Sequence, residues 1–493
     1  MKKIIAFLLL CILSLSLGIP AFAEENAVDA PSGDNLVTTK HSTVIQGQPY
    51  SYTATTGTTV VESGGGKCEV FSIAYTLDDV EDMTTRPITF VFNGGPGSAS
   101  LYTNYLFMGP KRMVLSEDGH AASLPATLAD NNNSILDLTD LVFIDTIGTG
   151  YSRAVDNEDN FIGYQNDIRT IGDFIRLYIN RHERWGSPKY VAGESYGTIR
   201  AVGLCKYLAD TWSLGLNGLM LISSANDFSA IVFSTGNELP YAAFLPTYAA
   251  DAWYHGCLDE QYQNMALEEY LVRVREFVND EYYPALNRGQ SLPDEDKEAV
   301  AEKYAAFTGL SKEYVLKANL RVPLENFCTE LLSDQKLMIG RYDGRYTGPV
   351  ADGALDIGAY DPSSFDIDLP LTAAANQDIT KDLGFQTDIP YVPFSWDVYG
   401  RWVYGLDNSF LSQEEIIYNS MAANSFLKVW VLSGYYDGAT PFYGTEWVYN
   451  RVFLDDSRRD NLSFTHYPSG HMFYLDEASI DQFRQTAEVW YAE

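Results

Sequence analysis

The sequence predicts an α/β fold: a mostly parallel central sheet flanked by helices, with a cap or lid region inserted into it. Three observations lead there. Short apolar runs at 87–92, 140–145, 190–192, 219–222, 429–432 and 462–465 have the length of buried strands, and Pro, Gly, Ser or Asp stands near their ends. Helical stretches separate the early runs, as in the spacing of Ile168, Ile171, Phe174, Ile175 and Tyr178. The alternation of strand and helix breaks after Asp227 and resumes only near Val429, which marks an insertion.

In chain order, residues 1–23 read as a secretory signal. Lys2 and Lys3 precede an apolar run from Ile4 to Leu17, and Ala21-Phe22-Ala23 forms a cleavage site. The run is too short for a spanning helix, and Cys11 lies inside it rather than after it, which argues against a lipoprotein site. Residues 24–40 are expected to be a flexible lead-in, and 41–227 the first part of the sheet domain. Within that part, β-branched and tyrosine-rich runs from Ser42 to Leu77 alternate with Gly turns and suggest hairpins. Gly64-Gly65-Gly66-Lys67 has neither the spacing nor the Ser/Thr of a phosphate loop. Residues 228–400 are expected to form the cap, helical at 259–279, 294–307 and 311–318, then rich in Tyr, Asp, Pro and Gly with little periodicity over 340–395. The second part of the sheet domain follows over 401–493 and ends in a helix at 480–491.

Composition narrows the function. With 33 basic and 66 acidic residues the net charge is −33, and loss of residues 1–23 removes two lysines and no acid. Such a chain repels nucleic acid and anionic membrane surfaces. Four cysteines remain after cleavage, too few for a disulfide scaffold in a chain this long. Cys205 reads as a buried thiol, and Cys257–Cys328 is the one candidate pair. No H-e-x-x-h motif or Cys/His cluster is present, so neither a metal nor another cofactor is expected. The 34 tyrosines are read as filling core and cap rather than as a carbohydrate-binding surface.

The chemistry is concentrated at Gly193-Glu194-Ser195-Tyr196-Gly197, a G-x-S-x-G pattern between an apolar run and helix-forming residues. This is a nucleophile elbow: a tight strand-to-helix turn that lifts a serine hydroxyl to the sheet edge. A serine nucleophile needs a base, and the base needs an acid to orient it. In this architecture acid and histidine follow the serine, each past a later strand. Asp437 follows the run at 429–432, and His471 follows the run at 462–465. Of six histidines, His466 sits within the last run and His182 in the helix before the elbow, so His471 is the best base. The glycine-rich Asn93-Gly94-Gly95-Pro96-Gly97 can bring one N–H to an oxyanion, with the Tyr196 N–H as second donor.

These motifs, taken together, resemble those of the serine carboxypeptidase family, of the α/β-hydrolase fold. Phe92-Asn93-Gly94-Gly95-Pro96-Gly97-Ser98, Asp145 with Gly148-Thr149-Gly150-Tyr151-Ser152, the elbow, and Gly470-His471-Met472 match in order. The resemblance implies a divergent, secreted bacterial-type member with Ser195, Asp437 and His471 as triad and Gly95 and Tyr196 as the oxyanion donors. It further implies that Asn93, the Gly94 backbone and Glu194 hold the C-terminal carboxylate of a peptide or protein substrate. A protonated Glu194 can donate to that carboxylate where an ionised one would repel it, so activity is expected to favour acidic pH; otherwise Glu194 only ties the turn together. Three positions depart from the family. Val91 stands where a tryptophan is common, Ser98 replaces a half-cystine, and Phe107 falls where a second glutamate pairs with the one beside the serine. The same triad also suits an esterase or acyltransferase, and a catalytically idle binding protein is the reading of another class.

Overall fold

A computed structural model describes residues 33–350, 360–405 and 409–492; the signal segment 1–23 lies outside them. Three long antiparallel strands come first: β1 (Asn35–Ile45), β2 (Gln48–Ser63) and β3 (Gly66–Leu77). Residues 35–40, expected to belong to a flexible lead-in over 24–40, are therefore strand, and 24–32 lie outside the described residues. Val37, Thr38 and Thr39 are β-branched and pair with Thr56, Thr55 and Ala54, which extends the hairpin outward.

The strands expected from the apolar runs follow as β4 (Ile88–Phe92), β5 (Asp140–Ile144), β6 (Lys189–Glu194), β7 (Gly218–Ile222), β8 (Lys428–Gly434) and β9 (Leu462–Tyr467). With the two-residue strand Arg153–Ala154 paired to β3, they build a ten-stranded sheet in the order β1-β2-β3-β5-β4-β6-β7-β8-β9. Pairing is antiparallel as far as β3–β5 and parallel from β5 onward. Alternate side chains enter opposite cores. Val191, Leu219, Leu221, Val429 and Val431 pack beneath α1 (Tyr164–Arg181) and α2 (Tyr196–Trp212). Ala192, Met220, Ile222, Trp430 and Leu432 belong to the other core. The carboxy-terminal helix Glu477–Ala492 closes that second core, where Phe483 stacks on Trp430 at 5.5 Å between ring centroids.

Between β7 and β8 the chain forms a largely helical insertion with a core of its own, which also takes in Tyr435, Tyr436 and Phe442 from beyond β8. Helices at Leu267–Phe277, Asp294–Thr308 and Lys312–Lys317 fall where periodicity places them. The two longest of the others were not legible. α3 (Leu239–Tyr254) is buried along most of its length and so lacks a polar face to set a period. α4 (Phe365–Gln377) lies in the stretch expected to be irregular and carries Pro370 inside it, yet Ile367, Leu371, Ala374 and Ala375 share one buried face. Cys68, Cys205, Cys257 and Cys328 are all free thiols. The Cys257–Cys328 pair is thus not formed: Cys328 is sealed in the core of the insertion, while Cys257 lies half-buried at its margin. Cys205 is buried in α2, as expected. Among the described residues, no helix is long and apolar enough to cross a membrane.

Candidate active site

The register of the parallel strands brings the predicted residues to one edge. Phe92 pairs with Gly193, Glu194 with Ile222, Ile222 with Leu432, and Gly434 with Tyr467. Asn93, Ser195, Asp437 and His471 each follow one of these strand ends, the edge where open α/β sheets place their sites.

Ser195 occupies the turn between β6 and α2 with φ +57° and ψ −125°, a conformation that costs a non-glycine residue about 1–3 kcal/mol. Its N–H is held by the carbonyl of Ile222 at 2.9 Å, and its carbonyl accepts the Thr198 hydroxyl at 2.7 Å. Gly94 lets the oxyanion loop approach this turn: a methyl group there would stand 2.5 Å from the Tyr196 nitrogen and 2.6 Å from the Glu194 carbonyl. Neither the Gly95 nor the Tyr196 N–H donates to a described backbone carbonyl outside helices and strands. Tyr196 opens α2, whose dipole has its positive end there. Ser98, lacking the family's half-cystine, is held through backbone pairing with Phe394 instead.

Asp437 and His471 are joined directly. Imidazole Nδ1 lies 2.8 Å from Asp437 Oδ2, and the carboxylate also accepts from the Ala439 and Thr440 N–H groups and the Thr440 hydroxyl. Burial disfavours the imidazolium, but the adjacent Asp437 carboxylate outweighs it and raises the His471 pKa above its usual value. With Nδ1 engaged, Nε2 is left for proton transfer. The Ser223 hydroxyl donates to the His471 carbonyl at 2.6 Å, one residue past the carbonyl that holds Ser195. The Ser195 hydroxyl bonds to no described residue; such contacts commonly run long until substrate binds.

Several participants gave no sequence signal. The insertion sends a strap, Tyr342 to Arg345, under the histidine loop. The Tyr342 carbonyl accepts the His471 N–H at 2.6 Å, and Asp343 accepts the Gly470 N–H at 3.0 Å. Arg345 ties Asp343 to Ser469 and to the Pro468 carbonyl. Any side chain on Gly470 would strike the Tyr342 carbonyl at 2.4 Å.

Glu194 is buried beside Asn93, whose amide donates to Oε2 at 2.8 Å; Tyr474 donates to the same oxygen at 2.8 Å. Burial raises the Glu194 pKa to about 7, against the opposing pull of His471 and of these donors. Asn93 is oriented in turn: its Oδ1 accepts from the N–H and hydroxyl of Thr103, and its carbonyl accepts from Arg200 at 2.8 Å. Val91 and Phe107, two of the departures from the family pattern, are both fully buried. Asp145 is buried too, accepting the Ser100 N–H at 2.7 Å, with its pKa raised by burial to about 7.

Sheet order, elbow and strand-end loops define the class: the α/β hydrolases. The family follows from comparison of the sequence. The serine carboxypeptidase family model matches residues 74–467, and the chain belongs to that family. Serine carboxypeptidase-like 36 of Arabidopsis thaliana is 31% identical over 131 residues, 26% of this chain and 25% of that protein. The pheromone-processing carboxypeptidase KEX1 of Puccinia graminis is 27% identical over 154 residues, 29% of this chain and 22% of that protein. The alignments thus span about a quarter of these relatives. Among solved structures, the prohormone-processing carboxypeptidase Kex1 of Saccharomyces cerevisiae superposes with a TM-score of 0.57 at 16% identity, covering 89% of this chain and 91% of its own. That likeness is one of fold.

Proposed function

We propose that this protein is a serine carboxypeptidase that removes residues from peptide and protein C-termini. His471 takes the Ser195 proton, and Ser195 attacks the last peptide carbonyl. The oxyanion settles on the Gly95 and Tyr196 N–H groups, and His471 returns the proton to the departing amine. Water then hydrolyses the acyl-enzyme by the same relay. Asn93, the Gly94 backbone and Glu194 receive the terminal carboxylate. One observation carries this reading: the Asn93–Glu194 pair stands beside the elbow, next to the Asp437–His471 pair, where an esterase would need no carboxylate-recognising group. The segment at 1–23 supports export, which sequencing the amino terminus of the mature protein tests.

A fluorophosphonate should label the wild type and not Ser195→Ala, and the variant should lose about 10⁴–10⁶-fold in kcat. Absence of label on folded wild type would leave the binding-protein reading. Against a matched set of blocked dipeptides, the free acid should be cleaved at least tenfold faster than the amide. Equal rates on acid and amide would reject the carboxypeptidase assignment in favour of an esterase or acyltransferase.

A further inference from the structure

Phe107 fills the place of the family's second glutamate, yet Glu194 still has a second partner. Phe107 lies nearly parallel to Tyr474, with ring centroids 4.6 Å apart and an interplanar angle of 13°, and packs edge-on against Phe473. The Tyr474 side chain is fully buried, and its hydroxyl has no partner other than Glu194 Oε2 among the described residues. Asn93 donates to that same oxygen. An oxygen that accepts two donors is the carbonyl-like one, because in a carboxylic acid the carbonyl oxygen is the stronger acceptor and the O–H oxygen the weaker. Oε1 bonds to no described residue and is not sealed from solvent. Two donors fixed on one side thus assign the proton to the other.

We propose that Tyr474 is the positioning residue that turns Glu194, so that Oε1 carries the proton and meets a free peptide carboxylate with an O–H. The inference rests on the carboxypeptidase reading above and deepens it: selectivity for a free C-terminus is set through a phenol that stands in for the missing carboxyl partner. The titratable groups facing Glu194 are His471, Asp437, Tyr102 and Tyr474. Removing the Tyr474 hydroxyl subtracts a donor that favours the ionised glutamate.

The test compares Tyr474→Phe with wild type on a blocked dipeptide acid and on a simple ester without a carboxylate, from about pH 4 to about pH 9. For the acid, KM should rise about tenfold with kcat little changed, and the alkaline limb of kcat/KM should move to higher pH. The ester should be hydrolysed as by wild type. An unchanged KM and limb for the acid, or an equal loss on acid and ester, would overturn the role of Tyr474. If wild type itself does not prefer the acid to its amide, the underlying reading fails instead, and this proposal falls with it. Should Tyr474→Phe not fold, Phe107→Leu keeps the phenol and removes its stacked support. It should raise KM for the acid two- to threefold and spare the ester, and a wild-type KM would count against the proposal.

Discussion

A buried glutamate and a buried histidine each respond to the other's charge in this site. In the proposed mechanism, turnover of a free-acid substrate needs His471 neutral, to accept from Ser195, and Glu194 protonated, to receive the carboxylate. Below the acid limb His471 is imidazolium and cannot act as base; Asp437 raises its pKa, which moves that limb upward. Above the alkaline limb, near the Glu194 value of about 7, the glutamate is ionised and would repel a substrate carboxylate. A bell-shaped kcat/KM against pH is therefore expected for a dipeptide acid. An ester without a carboxylate should keep the acid limb and lose the alkaline one; persistence of both limbs with the ester would assign the second to another group.

At the scale of elements, the elbow is braced from behind. Arg200 of α2 is fully buried; its Nε donates to Asp167 of α1 at 2.7 Å, and it reaches the Asn93 carbonyl while lying over the Phe92 ring at 5.0 Å. It joins both helices to the end of β4. Arg200→Met should cost about 3–5 kcal/mol, since it leaves the Asp167 carboxylate buried without its cation. Urea unfolding reads that loss, and a change under about 1 kcal/mol would show that the tie does not bear on stability. The strands, the elbow and α1 were legible because their patterns are local: apolar runs with breakers, a glycine pair around a serine, a helical stripe. α3 and α4 were not. Burial on most sides removes the polar face that gives α3 a period, and Pro370 disguises α4.

For the molecule as a whole, a net charge of −33 attracts cationic substrates over distances set by salt. Raising the salt from about 20 to about 300 mM should lower kcat/KM for a lysine-rich peptide roughly three- to tenfold and leave a neutral one unchanged. Equal sensitivity of both peptides would rule out steering by net charge. The sequence alone determined the sheet, the serine turn and the order of acid and histidine, because in a parallel sheet each strand-to-loop boundary lies on a common edge, and such boundaries can be read locally. Only the tertiary structure decided that Tyr342–Arg345 hold the histidine loop, that Cys257 and Cys328 stay apart, and that Tyr474 rather than a second carboxyl meets Glu194. Those outcomes depend on side chains far apart in the chain meeting at one point, which no local pattern encodes.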